Sequence, residues 1–391
     1  MLDLFKSLTT LVRCKRIHID GCVFRLHCIV TVIILMGFVI VNSAKQIVGE
    51  PISCNRDKEI EDKEVANAWC YIKGIHSIPK DDFIPNVYPG MGPPVNPDSF
   101  RANVFYQWIW FMLLFQAICF YFPRWLWKCF EGNKIFSFTT DFDYFSIDES
   151  KKLKKIEIIV DYLYQTNGNN DWYAIKYFLC ELLALLNVIL QMAANNIFLS
   201  GQFYSYGIDF IEYHFYPKTD SMVDPLDTVY HYNWFEFSSN SLILQVFPIQ
   251  SKCNFSRFGI SGSIEYLDFM CVLTINIFNQ KIYLFCWFWF IILIIFLTVV
   301  ITFRVILICC PLMRYYCCRF RFDLSSKLRN QSRKLVVNRL SLGDWFILYL
   351  VTNLSFNAKL IDFSKFDLPT VGPKHRTHTL LQNHRKSERK T

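Results

Sequence analysis

This sequence predicts an all-α integral membrane protein with four transmembrane helices, on three observations. The 391 residues are 53% hydrophobic and 17% aromatic, and only 19% are charged. The apolar residues, 38 Phe among them, come in blocks rather than in amphipathic periods. Four of these blocks are long enough to cross a hydrocarbon core of ~30 Å, which takes ~20 apolar residues in a helix.

Taken in order, residues 1–25 form a short cytoplasmic head. Met1, Leu2, Leu4, Phe5, Leu8, Leu11 and Val12 recur there at helical spacing, with Asp3, Lys6 and Ser7 between them. Such a helix lies on the membrane surface or folds into a pore mouth. The first span, residues 26–44, reads "LHCIVTVIILMGFVIVNSA". Its basic lead and its small-residue end have the shape of a signal peptide cleaved after Ala44, but the leading region is long for that role. Residues 45–104 are a first outer loop, and its "IPNVYPGMGPPVNP" leaves no room for a long helix near its end.

The second span, residues 105–124, opens "FYQWIWFMLLFQAICFYFPRW". It carries Trp and Tyr at both ends, where these rings favour the headgroup boundary. Pro123 ends or kinks it, because proline lacks an N–H and clashes with the preceding turn. An inner loop containing helix follows over 125–173, then the third span over 174–199, a long aromatic outer loop over 200–281 and the fourth span over 282–308. Residues 309–368 form a partly helical cytoplasmic region, and the basic tail 369–391 has a disordered composition.

An even number of spans puts both termini on one side, and Lys and Arg near the spans decide which. Residues 1–25 hold five basic residues, and residues 304–391 hold seventeen against five acids. Loop 200–281 holds four against eight, and loop 45–104 seven against nine. The termini are therefore expected in the cytoplasm. The net charge of +8 gathers there as a signal for orientation and lipid headgroups, not as a nucleic-acid surface.

Of fifteen Cys, four fall in the outer loops: Cys54 and Cys70 in the first, Cys253 and Cys271 in the second. Two per loop in an oxidising compartment read as two disulfides, with three connectivities open and no spacing that favours zinc. Cys309, Cys310, Cys317 and Cys318 lie just inside the fourth span, where palmitoylation or simple reduced thiols outrank metal binding. Asn187, Gln191 and Asn195 share one face of the third span, which must look toward other helices or a wet pathway. No phosphate loop, HExxH or nucleophile elbow appears, so no catalytic residue, cofactor or metal site is assigned and an enzyme is the weak reading.

Several blocks resemble one family, the innexins of invertebrate gap junctions. Tyr106, Gln107 and Trp108, preceded by Phe105, resemble its Tyr-Tyr-Gln-Trp signature. "KQIVGEPISC" (Lys45–Cys54) is similar to its entry into the first outer loop, and "FPRWLWKCFEG" (Phe122–Gly132), which holds Pro123, to its exit from the second span. "WYAIKYFLCELLALLNVILQ" (Trp172–Gln191), "KIYLFCWFWFIIL" (Lys281–Leu293) and "LGDWFILY" (Leu342–Tyr349) resemble its later blocks.

The resemblance implies a ring of eight subunits, homomeric or heteromeric, around a wide aqueous pore in the plasma membrane. It also implies docking of two such rings from apposed cells through their outer loops. It places Met1, Leu2, Asp3 and Phe5 in a pore funnel and pairs Cys54 with Cys271 and Cys70 with Cys253. Selectivity in so wide a pore comes from lining charge and diameter.

Two features depart from the family pattern: an apparent insertion over Pro225–Gln245, and a glycosylation sequon at Asn254 directly after Cys253. A glycan or insertion on a docking face favours an undocked hemichannel releasing ions and small metabolites, the alternative to an intercellular junction. A sequon left unmodified beside a disulfide is the plainer explanation. A non-conducting four-span adhesion or scaffold protein shares the topology and the outer disulfides, and single-membrane conductance separates it from both.

Overall fold

The computed structural model describes residues 20–55, 63–77, 101–132, 166, 168, 170–215, 246–321 and 341–354. They belong to two compact units: Asp20–Phe130 with Tyr177–Thr302, and Glu131–Lys176 with the chain from Phe303 onward. In chain order the elements are α1 (Cys22–Ile47), β1 (Ser53–Cys54), α2 (Lys63–Lys73), β2 (Ile75–Ser77) and β3 (Arg101–Asn103). A 3₁₀ turn (Phe105–Gln107), α3 (Ile109–Glu131), α4 (Asp171–Phe198) and α5 (Phe203–Phe215) follow. The hairpin β4 (Gln250–Phe258) and β5 (Ile264–Val272) leads to α6 (Thr274–Cys309), α7 (Pro311–Arg321) and α8 (Leu342–Leu354).

The structure is mostly helical, and α1, α3, α4 and α6 are each long and apolar enough to cross a membrane. In α6 the 36 residues make about 54 Å at 1.5 Å per residue, so the helix outreaches a ~30 Å hydrocarbon core. Within α1, Leu26–Val30 form a π-helical turn, and the Thr31 hydroxyl donates to the Leu26 carbonyl at 3.0 Å.

One expectation is corrected. Pro123 does not end the second span, because α3 continues two further turns to Glu131. A proline removes a single backbone hydrogen bond. The turn beyond it is held from outside, by Arg124 on Asp20 at 3.0 Å and by Trp127 edge-on to Tyr177 at 4.8 Å.

In the first unit the four helices meet through aromatic and amide contacts. Phe120 of α3 lies against His27 of α1 at 4.8 Å and Phe290 of α6 at 5.4 Å. Phe38 of α1 meets Phe285 of α6 at 5.5 Å, and the Trp289 indole donates to Thr31 at 2.9 Å. The connecting segments build a five-stranded sheet in the order β1-β5-β4-β2-β3, for which the loop sequences carried no strong strand pattern. The β4–β5 ladder runs from Gln250 opposite Val272 to Phe258 opposite Ile264, and its turn passes through Gly262 at φ +80°.

Candidate functional site

The sheet caps the ends of the helices in the first unit, and its chemistry begins with alternation along β4 and β5. Ser251 and Cys253 on β4, with Phe269 and Cys271 on β5, are buried on one face. The opposite face holds Lys252, Asn254 and Ser256 beside Phe258 and Tyr266, which are 79% and 75% exposed. A strand's side chains point alternately to its two faces, so all four buried positions look the same way. There they meet α2, whose Trp69 packs edge-on to Phe255 at 5.7 Å, with Phe255 in turn 5.6 Å from Phe269.

Both disulfides sit on that buried face. Cys54 is bonded to Cys271, its direct cross-strand partner, and Cys70 of α2 is bonded to Cys253. Asn67 supports the first bond by accepting the Cys54 N–H at 2.9 Å. The sulfurs of Cys54, Cys70 and Cys271 lie within 4.8 Å of one another, but each is taken up in an S–S bond and offers no thiolate to a metal. The bonds close loops of 217 and 183 residues. Chain entropy alone values such closures at about 5 kcal/mol each, and the value is lower here because spans held in a bilayer already restrict the loop ends.

Helix α2 ends at Gly74, whose φ of +92° is open to glycine and turns the chain directly into β2. Its last turn is gripped from the start of the second span. The Tyr106 hydroxyl donates to the Tyr71 carbonyl at 2.9 Å, and the Gln107 amide donates to the same oxygen. Tyr106 is fully buried, and burial pushes its phenol well above the usual range, with the Gln107 hydrogen bond opposing. Its own carbonyl accepts from Gln46 of α1 at 3.2 Å. Two of the three signature residues thus clamp the residue next to Cys70. The third, Trp108, is 56% exposed and joins neither bond. Pro123 is buried in α3, remote in sequence from this grip.

A line of buried amides continues from the clamp. Gln46 donates to Asn42 at 3.2 Å, Asn42 to Asn279 of α6, Asn279 to Asn276 at 3.2 Å, and Asn276 to the Pro248 carbonyl at 2.9 Å. Alongside, Gln280 donates to the Phe247 carbonyl at 2.8 Å and Tyr206 to the Gln280 carbonyl at 3.2 Å. Amides that lose water need such partners. The chain of bonds joins α1, α6, the 3₁₀ turn and the segment leading into β4. Sequence reasoning passed over Asn42, Gln46, Asn276 and Asn279. Their signal was amides at helical spacing where apolar spans meet loops.

The shared polar face of the third span is brought against other helices. Asn187 lies 3.5 Å from the His27 ring of α1, Gln191 donates to Asn187 at 3.4 Å, and Asn195 accepts from Gln116 of α3.

In the second unit the "LGDWFILY" block has an N-terminal capping arrangement. Ser341 precedes α8, its hydroxyl donates to Asp344 at 2.8 Å, and the Asp344 N–H returns to it at 3.3 Å. The Asp344 carboxylate also accepts from Asn170 at 2.7 Å and from the Gly168 N–H at 2.9 Å. In exchange, Asp171, in the first turn of α4, accepts the Gly343 N–H at 2.7 Å. Trp345 donates to the Arg314 carbonyl at 3.2 Å. Arg314 itself caps the end of α6, donating to Leu307 at 2.7 Å and Ile308 at 3.0 Å, and burial lowers its pKa against the opposing charge of Asp171.

Asn254 stands on the outward face of β4, half-buried. Its carbonyl accepts from Trp69 at 3.4 Å, and its Oδ1 finds no hydrogen-bond partner among the described residues. Met1, Leu2, Asp3 and Phe5, the insertion over 225–245, the run 323–340 and the tail 369–391 lie outside the described residues.

Residues 20–361 match the family model Innexin. The chain is 38% identical to innexin shaking-B of Drosophila melanogaster over 356 residues, 90% of each protein. It is 35% identical to innexin inx2 of Drosophila melanogaster, across 89% of this chain and 90% of that one. Identity is also 35% to innexin inx2 of Schistocerca americana, across 89% and 92%. With four helices fit to cross a membrane and a sheet tied by two inter-loop disulfides, this chain belongs to the innexin family of gap-junction channel proteins.

Proposed function

We propose that this chain is one subunit of a ring, octameric by resemblance and homomeric or heteromeric, enclosing a wide pore for ions and small molecules in the plasma membrane. The disulfide-tied cap is the observation that carries the reading. Disulfides form in an oxidising compartment, so the cap faces outward, and an even number of spans returns both termini to the cytoplasm. That orientation agrees with the seventeen basic residues after position 303. In this reading the amino-terminal residues Met1, Leu2, Asp3 and Phe5 line the cytoplasmic mouth, and the cap meets its counterpart on an apposed cell. The cap suits that role because its two bonds and the Tyr71 clamp lock it to the spans, so that docking need not first order it.

Junctional conductance between two cells that both express the chain tests the proposal. Current between the cells, abolished by Cys54→Ser or Cys271→Ser, is the expected result. Silence with the chain at the surface, both between cells and across single membranes, would overturn the homomeric channel and leave a subunit that needs a partner, or the adhesion or scaffold role.

A second reading, the undocked hemichannel, is favoured by the sequon on the outward face of β4. It expects a large single-membrane conductance without junctional current. In that case Asn254→Gln restores coupling if a glycan is what prevents docking.

A further inference from the structure

The fourth span ends in two adjacent thiols that the channel reading leaves without a task. Helix α6 stops at Cys309, Cys310 lies between helices, and Pro311 begins α7, where its missing N–H breaks no bond. The backbone here is settled. The Cys310 N–H donates to Ile306 at 2.8 Å, Arg314 holds the Leu307 and Ile308 carbonyls, and the Cys310 carbonyl accepts from Met313 at 3.0 Å. The two side chains are exposed free thiols, and no cluster of metal-ligating side chains among the described residues includes either one.

What surrounds the thiols is apolar. Within the second unit Cys309 shares a face of α6 with exposed Val305 and Ile306, four and three residues before it. Exposed Ile308 and Leu312 flank the pair on either side. Thiols at the end of a membrane span, among exposed apolar side chains, meet the needs of a lipid-modified cysteine.

We propose that Cys309 and Cys310 form an S-acylation site taking long-chain fatty acyl groups. In the step, the cysteine sulfur forms a thioester bond to the acyl carbonyl carbon of a long-chain acyl-coenzyme A. The bond from that carbon to the coenzyme A sulfur breaks, and the thiol proton ends on the departing coenzyme A thiolate. No electrons are gained or lost. The chains then pin the start of α7, and with it Arg314 and the Trp345 contact, to the bilayer surface. The proposal rests on the orientation given above, because acyl-coenzyme A is a cytoplasmic reagent.

Acyl-exchange mass tagging of the full chain in cell membranes tests it: free thiols are blocked, thioesters are cleaved with hydroxylamine, and the released thiols take a polyethylene glycol maleimide. The expected result is a hydroxylamine-dependent shift of up to one tag per thiol, absent in the Cys309→Ser/Cys310→Ser variant and retained in Cys317→Ser. A wild-type chain without the shift, or a shift that survives the double substitution, overturns the proposal. An epitope fused after Thr391 separates the two ideas. Staining only after permeabilisation, together with no shift, overturns acylation alone. Staining of intact cells overturns the orientation and the acylation site together.

Discussion

The sheet cap and the turn around Asp344 both join stretches of chain that are far apart in sequence, yet they use different bonds. In the cap, separations of 217 and 183 residues are closed covalently. At Asp344, separations of 174 and 176 residues are closed by hydrogen bonds to one buried carboxylate. Among the described residues, nine cysteines are free of disulfides, Cys309, Cys310 and Cys317 of the second unit among them. In the orientation proposed above, the covalent ties fall on the oxidising side. Elsewhere a charged acceptor does comparable work, each such bond contributing about 1.5–3 kcal/mol.

The largest effect expected from breaking this contrast is at the disulfides. Cys70→Ser/Cys253→Ser removes about 2–5 kcal/mol from the cap. We expect surface delivery to fall to near background, read by surface biotinylation. A membrane-impermeant reductant applied to intact cells should likewise expose the cap to protease. It should leave cleavage near Asp344 unchanged. Equal sensitivity at both places would erase the distinction.

At the hydrogen-bonded junction, a methyl group is the sharper tool. A Cβ on residue 343 would sit 2.1 Å from the Asn170 backbone, which unlike a side-chain tip cannot swing away. Gly343→Ala should therefore destabilise the α8 junction by about 3 kcal/mol, the upper end for overpacking. A thermal-shift assay in detergent reads this as a clear loss, and an unchanged melting point would show that α8 docks some other way.

Between spans the ties are weaker still. Gln116 and Asn195 bond to each other, and the Gln116 Oε1 and Asn195 Nδ2 atoms have no other partner among the described residues. Gln116→Leu or Asn195→Leu alone should cost about 0.6–1.7 kcal/mol, the range for hydrogen bonds between membrane helices. The double substitution should cost less than the two singles added, because it strands neither amide. Simple additivity would mean that the pair is not coupled.

The smallest effect expected is at the clamp. Tyr106→Phe deletes one of two donors to the Tyr71 carbonyl, a loss of about 1 kcal/mol. It also carries a pH signature. The folded phenol holds its proton above the unfolded value of about 10, so its contribution is complete below pH 10 and fades as the unfolded chain ionises above it. The variant should flatten the alkaline decline of cap stability, followed by protease resistance between pH 9 and about 11. An identical slope in both proteins would remove Tyr106 as its source.

Some of this architecture was legible in advance because it depends on sums over neighbouring residues. Absence of charge across a block such as Ile282–Phe303 decides membrane crossing by itself, whatever the rest of the chain does. The helical spacing of Asn187, Gln191 and Asn195 told that they share a face, but not that His27 and Gln116 would meet it. That Pro123 does not end its helix, one of the two outcomes expected of it, has a related reason. Its local rule weighs one lost hydrogen bond, while Asp20 and Tyr177, remote in sequence, hold the turn beyond.

Four spans, two cysteines in each of two connecting loops, and a charge bias at the termini can be read along the chain without its fold. Hydropathy, residue counts and charge are additive and need no partner. The pairing of β1 with β5 that sets Cys54 opposite Cys271, and the convergence of Tyr106 and Gln107 on the carbonyl beside Cys70, arise only when the chain is folded. The same holds for the amide line that ends at Pro248. Strand register and hydrogen-bond direction are relations between distant segments, and a one-residue slip of β1 against β5 would turn Cys54 away from Cys271.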